Sequence, residues 1–158
     1  MSNVYLLDTN TFRVFAHYYP DAFPSFWADL ETLVDNHLML SCSEVYKEID
    51  YETQEEHLLE WAENHTGIFE YPSGEEMQAV AEIFKIKHFQ QLIGEKQRIR
   101  GRAVADPFLV AKGICSAGTV VTEEGYKPNS AKIPNICEHF NVRCIKAREF
   151  LVECKLSY

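Results

Sequence analysis

The first ten residues impose the strongest constraint on what this chain can fold into. Four apolar residues, Val4–Leu7, stand in a row and are followed at once by Asp8, Thr9 and Asn10. A short apolar run without alternation is typical of a strand buried on both faces, as in a parallel sheet. Asp, Thr and Asn favour turns and helix caps because their side chains compete for backbone hydrogen bonds. The segment therefore predicts a strand ending at the edge where open α/β sheets place their sites. By itself, Asp8 is equally well explained as a helix cap.

Length and composition predict one globular domain over residues 1–158. The sequence starts without a basic segment, and no apolar run approaches the roughly 18 residues of a membrane span, so we expect a cytoplasmic protein without membrane association. The cysteines are odd in number, widely spaced and without a C-x-x-C pair, which predicts free thiols in a reducing compartment. They are Cys42, Cys115, Cys137, Cys144 and Cys154.

Charge is distributed unevenly along the chain. Residues 1–84 carry a net charge of −15 and residues 85–158 carry +6, which gives −9 in total. An acidic chain argues against nonspecific nucleic-acid binding, although the second half is basic enough to present a positive face. The densest basic stretch is most simply explained as a solvated helix face. It contains Lys85, Lys87, Lys96, Arg98, Arg100 and Arg102.

Helices and strands alternate along the sequence in the rhythm of a parallel sheet. After the first strand, short apolar or β-branched runs predict strands at Leu38–Leu40, Gly67–Glu70, Thr119–Thr122 and Val142–Ile145. Helical periodicity fills the intervals between them. The pattern predicts an α/β fold with a mostly parallel sheet of four or five strands and helices on both faces.

Local signals predict where several helices begin and end. Ser41–Glu44 matches the capping box S-x-x-E, which gives Glu44 a structural role. Asp106 followed by Pro107 predicts an N-cap and the first residue of a helix, and Gly118 predicts the end of that helix. A long amphipathic helix is predicted over Pro72–Gln91. Its buried stripe is expected to contain Met77, Val80 and Phe84.

Four acidic residues from distant segments are expected at one edge of this sheet. Asp8 ends the first strand, and Glu48 lies in the helix after the second. Asp106 begins the helix that leads to the Thr119–Thr122 strand, and Glu124 follows that strand. In a parallel sheet, the carboxyl ends of strands and the N-termini of the following helices share one edge. Each acid alone has an ordinary explanation, but four at one edge predict a shared site.

A cluster of carboxylates is unfavourable by itself, because like charges at close range raise one another's pKa. Mg²⁺ and Mn²⁺ prefer carboxylate oxygens and keep several waters. Such a water can attack a phosphodiester while the cation stabilises the developing charge. The sequence therefore predicts a catalytic metal site built from Asp8, Glu48, Asp106 and Glu124.

The chain resembles the PIN-domain family, and within it the PIN-like toxins of toxin–antitoxin systems. The resemblance is carried by Tyr5–Asn10, Val45–Ile49, Ala105–Ala111, Val120–Glu124 and Lys132–Cys137, and it spans nearly the whole sequence. It implies a PIN-like three-layer α/β sandwich and a ribonuclease dependent on Mg²⁺ or Mn²⁺. It also implies a cognate antitoxin that blocks the site and, commonly, a homodimer.

The resemblance matches Asp8, Glu48 and Asp106 to the family's metal-binding acids. The fourth acid of the family is usually Asp in a Thr-x-Asp pattern, whereas this chain has Glu123 and Glu124 after the threonine. Because the side chain of Glu is longer than that of Asp, the resemblance leaves the metal geometry at this position open. At this point the choice between Glu123 and Glu124, and between Glu44 and Glu48, stays open.

The same resemblance assigns supporting roles to further residues. Several polar side chains near the acids are expected to orient them through hydrogen bonds. These are Thr9, Asn10, Thr122, Glu123 and Glu44. The basic stretch before Asp106 is expected to contact the RNA backbone. Its residues are Lys96, Arg98, Arg100 and Arg102.

Other functions fit parts of the sequence less well. A haloacid-dehalogenase-like phosphatase needs a second Asp two residues after the first, and Asn10 stands there. A receiver-like domain needs adjacent N-terminal acids and a Lys after a later strand, and neither is clear. The histidines form no H-E-x-x-H motif, and there is no P-loop or G-x-G-x-x-G. A PIN-like fold that acts only as a binding partner is the main alternative, and the Glu at position 124 leaves it open.

Overall fold

The computed structural model describes residues 4–90 and 105–156, and a five-stranded sheet forms its centre. All neighbouring strands pair in parallel, in the order β3-β2-β1-β4-β5. The first strand in sequence is therefore the middle strand in space. The strands are β1 (Tyr5–Leu7), β2 (Met39–Cys42), β3 (Phe69–Glu70), β4 (Thr119–Val121) and β5 (Cys144–Ile145).

Helices flank this sheet, and the predicted α/β fold class is confirmed: all five strands are present and all are parallel. In the ranges described, no helix has the length and hydrophobicity of a transmembrane segment. The helices are α1 (Thr9–Ala16), α2 (Pro24–Asp35), α3 (Ser43–Glu52), α4 (Glu56–Asn64), α5 (Gly74–Lys85), α6 (Asp106–Ser116), α7 (Ile133–His139) and α8 (Ala147–Glu153).

An aromatic cluster fixes α1, the helix that begins directly after Asp8. Phe12 and Phe15 on α1 are fully buried. Phe12 packs against Phe69 of β3 with ring centroids 5.6 Å apart, and Phe15 packs against Phe26 of α2 at 5.1 Å. Aromatic pairs of this kind contribute about 0.5–1.5 kcal/mol beyond the area they bury. The start of α1 is thus held in place relative to both neighbours.

The capping box predicted at Ser41–Glu44 is wrong. Ser41 belongs to β2, where it pairs with Phe69, and its hydroxyl donates to the Leu7 carbonyl at 2.6 Å. Helix α3 begins only at Ser43. A capping box does form at the start of α5, where Ser73 and Glu76 each accept from the other's backbone N–H. Pairing of β2 with its neighbours overrode the local signal at Ser41.

Helix α5 is shorter than predicted, and it buries a different stripe. It ends at Lys85, followed by Ile86 in an extended conformation. Its buried residues are Ala79, Val80 and Ile83, whereas Met77 is 48% exposed. The face that packs inward is therefore rotated from the predicted Met77, Val80 and Phe84 stripe, and Phe84 is only partly buried.

The two ends of α6 also differ from the sequence prediction. Asp106 is the first helical residue and Ala105 occupies the N-cap position. At the other end Ala117, not Gly118, takes the left-handed conformation, with φ of 55°. Gly118 is required for a different reason: a Cβ there would lie 2.7 Å from Cγ1 of Val4 and 3.0 Å from its carbonyl oxygen. The glycine thus allows the chain to approach β1 closely.

A buried ion pair connects α6 to α5 and β3. The Lys112 side chain is 4% exposed, and its Nζ lies 2.6 Å from Glu70 and 3.3 Å from Glu76. Hydrogen bonds and attraction from these two carboxylates raise the pKa of Lys112 against the opposing effect of burial. The amine therefore remains charged while it holds α6 in place.

Gly113 gives a test of how tightly α6 packs on the sheet. A Cβ at Gly113 would lie 2.7 Å from Cγ1 of Val142 and 3.2 Å from Cγ2 of Val120. Crowding of this kind lowers the stability by about 1–3 kcal/mol. Replacing a Gly in the middle of a helix with Ala has the opposite effect and stabilises by about 0.5–1 kcal/mol. We expect Gly113→Ala to lower the free energy of unfolding, measured by urea titration, by about 1 kcal/mol.

The matched control is Gly74→Ala at the start of α5, where a Cβ would meet nothing within 4 Å. This change is expected to be neutral or to stabilise by up to about 1 kcal/mol. Equal effects of the two substitutions would contradict the packing described for α6.

Candidate functional site

Asp8 lies at the carboxyl edge of the sheet, between the middle strand and the start of α1. Its side chain is buried, with the residue 4% exposed. Oδ1 accepts from the Thr9 backbone N–H at 2.8 Å, and Oδ2 accepts from the Thr122 hydroxyl at 2.8 Å. Its own backbone N–H donates to the Val121 carbonyl at 3.0 Å. The carboxylate is therefore fixed from both sides, by α1 and by the residue that follows β4.

Glu48 is held at the same edge by α1 and α6. Although Glu is rarely buried, this residue is 4% exposed. Oε1 accepts from the Thr9 hydroxyl at 2.8 Å, and Oε2 accepts from the Ala105 backbone N–H at 2.9 Å. Thr9 therefore contacts both acids, since its N–H binds Asp8 and its hydroxyl binds Glu48. The Ala105 N–H could not be predicted, because a backbone donor leaves no mark in the sequence.

The other two acids act on Asp8 through their charge. Asp106, 6% exposed, begins α6, and Glu124 follows β4 and is half-buried. Burial raises the pKa of Asp8 well above its ordinary range, and repulsion from Asp106 and then from Glu124 raises this pKa further. The hydrogen bonds from Thr122 and Thr9 oppose that rise. The structure thus brings Asp8, Asp106 and Glu124 close enough to interact, and Glu48 adjoins them through Thr9.

The side chains of Glu123 and Glu124 interact with different parts of the structure, and this difference indicates which of them is the fourth acid of the site. The Glu123 carboxylate accepts from the Ala147 backbone N–H at 2.8 Å and so caps α8. Glu124 instead repels Asp8, and its backbone N–H donates to the Thr122 hydroxyl oxygen at 3.2 Å. The geometry therefore favours Glu124 as the acid of the candidate site.

Asn10 and Thr122 order the turn after β4. The Asn10 side-chain oxygen accepts from the Glu123 backbone N–H at 2.8 Å. Thr122 is fully buried and donates its hydroxyl to Asp8. The two side chains also lie 3.3 Å from each other. They connect the end of β4 to the start of α1 on either side of Asp8.

Glu44 lies close to the site but is bonded outside it. Its Oε1 accepts from the Lys47 amine at 3.1 Å, and its side chain is 12% exposed. The neighbouring Cys42 is a residue that we did not predict at this edge. Burial first, and then the charges of Asp8 and Glu44, raise the pKa of its thiol to about 12, so it remains a neutral thiol. Its position at the carboxyl end of β2 was the signal that could have placed it here.

The predicted RNA-contacting residues Lys96, Arg98, Arg100 and Arg102 lie outside the described residues. Beside the acids, the structure has a cavity of about 260 Å³. Thr122 and Glu124 form one side of it, and Tyr126 and Lys146 are among its other lining residues. A cavity whose lining includes Tyr126 and Lys146 therefore adjoins the acidic edge.

The donors at this edge are of the type that Mg²⁺ and Mn²⁺ take, namely carboxylate oxygens. Within residues 4–90 and 105–156, however, no three acidic, histidine or cysteine side chains are arranged to hold one metal ion. The oxygens of Asp8 and Glu48 bind instead to hydroxyl and backbone donors. The oxygens of Asp8, Glu48, Asp106 and Glu124 are of the chemical type that would hold such a cation.

Asp8→Asn tests the electrostatic crowding at this edge without added metal. Because the pKa of Asp8 is raised in the folded protein, ionisation of Asp8 costs stability as pH rises from its ordinary pKa, roughly 4, to the raised value. We expect the variant to be more stable than the wild type at neutral pH. Its advantage should shrink as pH falls through the raised pKa and vanish below roughly pH 4.

Urea denaturation at a series of pH values, with a chelator present, measures this difference. Asp50→Asn is the control, since Asp50 is exposed on α3. If the difference in stability between the wild type and Asp8→Asn does not change with pH, the raised pKa assigned to Asp8 is contradicted.

Residues 5–158 match the family described as "Domain of unknown function (DUF4411)", and the chain belongs to this family. No significant match to a curated protein sequence is found. The structure is similar to a chain in the crystal structure of VapBC2 from Rickettsia felis bound to a DNA fragment from the promoter. That alignment has 18% identity and a TM-score of 0.45, and it covers 80% of this chain and 95% of the other.

Proposed function

We propose that this DUF4411 protein is a metal-dependent endoribonuclease that acts as the toxin of a toxin–antitoxin pair. The observation that carries the proposal is the meeting of buried Asp8, Asp106 and Glu48 with Glu124 at the carboxyl edge of the sheet. Buried like charges are costly, and proteins keep them where a cation or a reaction requires them. The resemblance of the sequence motifs to PIN-like toxins supports the same activity, and it also supports an antitoxin partner and a homodimer.

The proposal assigns two roles to the four acids. Asp8, Asp106 and Glu124 would supply oxygens to a divalent cation, and Glu48 would be a fourth acid at the site that also fixes the start of α6 by accepting from the Ala105 N–H. A bound Mg²⁺ or Mn²⁺ would supply an activated water and stabilise the charge that develops on the scissile phosphate. The protein's own contribution is to hold these carboxylates in position before RNA arrives.

Hydroxyl groups hold the acids in this position. Thr122 donates to Asp8, so one Asp8 oxygen keeps a fixed direction. Thr9 couples Asp8 to Glu48 because its N–H and its hydroxyl bind one acid each. Such hydrogen bonds orient ligands, and losing one typically costs 10–100-fold in metal affinity or activity, roughly.

Substrate would enter beside Glu124. The cavity of about 260 Å³ there has Tyr126 and Lys146 among its lining residues. An aromatic ring can stack on an unpaired base, and an amine can bind phosphate. A single-stranded RNA segment therefore fits this side of the site, and the basic stretch Lys96–Arg102 is proposed to contact its backbone.

Metal binding is tested by thermal and urea unfolding with and without Mn²⁺. At a metal concentration 100 times the dissociation constant, the wild type should gain about 2.7 kcal/mol. Glu124→Gln should lose most of this gain, because it removes a charged oxygen donor from the site. The neighbouring Glu123→Gln is the matched control and should keep the gain, since Glu123 caps α8.

Equal Mn²⁺ stabilisation of the two variants would exclude Glu124 as a ligand. No stabilisation of the wild type at millimolar metal would favour the alternative, in which the protein is only a binding partner.

Catalysis is tested by cleavage of a fluorescent single-stranded RNA. Asp106→Asn should reduce the rate of RNA cleavage by about 100-fold or more, because it removes one of the carboxylates that would hold the cation. Induced expression of the wild type should arrest bacterial growth, and expression of Asp106→Asn should not. Asp106→Asn, prepared in the same way, controls for contaminating nuclease, and Asp50→Asn, which changes an exposed residue outside the site, should cleave at the wild-type rate. Cleavage at the same rate by the wild type and Asp106→Asn would refute the nuclease proposal.

A further inference from the structure

A second cavity, of about 320 Å³, lies at the end of α7 and apart from the four acids. Four residues with aromatic rings, His88, Phe89, Tyr126 and His139, are among those that line it. Phe89 is buried, and its ring packs edge-on against the His139 ring with centroids 5.6 Å apart. We call this space the α7 cavity. Its volume is at the lower end of the range for small-molecule sites, and aromatic neighbours favour a flat, aromatic ligand.

The α7 cavity adjoins the candidate site through Tyr126. This residue also lines the cavity of about 260 Å³ beside Glu124, and it is 55% exposed. Only Gly125 separates Tyr126 from Glu124 along the chain. Two cavities that share one exposed tyrosine can receive neighbouring nucleotides of the same strand, one at the acids and the next in the α7 cavity.

The loop that carries Tyr126 is fixed by Asn135 of α7. Asn135 is buried, its Nδ2 donates to the Lys127 carbonyl at 2.6 Å, and its Oδ1 accepts from the Lys127 N–H at 3.4 Å. Further along the loop, Asn129 has a φ of 60°, in the left-handed region that Asn adopts more readily than most residues. The loop therefore has its shape before any ligand arrives, which lowers the entropic cost of binding.

The charge of Glu138 indicates which part of a nucleotide the α7 cavity suits. Glu138 is exposed near the end of α7 and lines the cavity. A carboxylate repels phosphate, but it accepts a hydrogen bond from an amino group on the edge of a base. Adenine, cytosine and guanine carry such an amino group, and uracil does not. The α7 cavity thus suits a base rather than a phosphate, whereas Lys146, which lines the other cavity, suits a phosphate.

We propose that the α7 cavity holds one unpaired base of the RNA, next to the nucleotide at the acids, and that it favours a base with an amino group. The assignment rests on the proposed nuclease function. Tyr126 and His139 provide rings on which the base stacks, as aromatic side chains do in single-strand binding proteins. Glu138 accepts from the amino group of the base. Cleavage is therefore expected beside adenine, cytosine or guanine in preference to uracil.

Binding is measured with the full chain and the ribonucleotide pentamer UUXUU, in which X is 2-aminopurine, in the presence of a chelator that prevents cleavage. The fluorescence of 2-aminopurine is quenched when it stacks on an aromatic ring. We expect the wild type to quench it saturably. Tyr126→Ala and His139→Ala change exposed residues and should bind about 10-fold more weakly. Circular dichroism checks that both variants fold.

The matched control is Tyr71→Ala, which should bind like the wild type. Tyr71 is 82% exposed and follows β3, at the opposite end of the sheet from β5. Absence of quenching by the wild type would overturn the proposal, and so would equal affinities of Tyr71→Ala, Tyr126→Ala and His139→Ala. Displacement of the pentamer by free AMP as effectively as by unlabelled UUAUU would also overturn it, because the ligand would then be a nucleotide and not a strand.

Base preference is measured by competition with the pentamers UUCUU and UUUUU. The wild type should bind UUCUU about 5-fold more tightly, because the cytosine amino group donates to Glu138. Glu138→Ala should lose this preference and still quench 2-aminopurine, whereas a merely structural role of Glu138 would leave the preference unchanged. Equal affinity of the wild type for the two pentamers would contradict the proposed preference.

The same pentamers separate this proposal from the nuclease function when Mn²⁺ replaces the chelator. Cleavage of RNA without quenching would support the nuclease function and refute the base site in the α7 cavity. Quenching that depends on Tyr126 and His139, without any cleavage, would refute the nuclease function and support the α7 cavity as a binding site for single-stranded RNA.

Discussion

The hydrogen bonds that hold Asp8 are the interaction on which the rest of the site depends. A carboxylate buried at the centre of the sheet is unfavourable, and the charges of Asp106 and Glu124 increase this cost. The Thr9 N–H and the Thr122 hydroxyl offset part of it. One donor belongs to the first residue of α1 and the other to the residue that follows β4, so they also connect α1 to the end of β4. The hydrogen bonds to this one buried carboxylate thus hold together the end of β1, the start of α1 and the end of β4.

The same logic extends to Glu48, although here the donors belong to the starts of two helices. Thr9 at the start of α1 and Ala105 at the start of α6 both bind this carboxylate. N-terminal turns of helices have unpaired N–H groups and a partial positive charge, which suits an acid. The parallel sheet places such helix starts at one edge. The fold therefore supplies polar support for acids that would otherwise be too costly to bury.

The sequence predicted the features that depend on local pattern and failed where a distant contact decides. The unbroken apolar run before Asp8 identified β1, and parallel topology then placed all four acids near one edge. Nothing local shows that Glu123 caps α8, because its partner Ala147 lies 24 residues away. Ser41 carried a helix-start pattern and was taken into β2, and Gly118 is required by its close approach to Val4 rather than by the end of α6. In each case tertiary packing overrode a local preference.

The strand order has a consequence for how the protein is made. The middle strand β1 is the first to leave the ribosome, and its neighbours β2 and β4 are separated from it by about 30 and 110 residues of chain. β5, which supports Thr122, comes later still. A nascent chain that stops before β5 therefore lacks part of this edge. The acidic pocket therefore cannot exist until synthesis has passed Glu124 and the strand β5 that follows it.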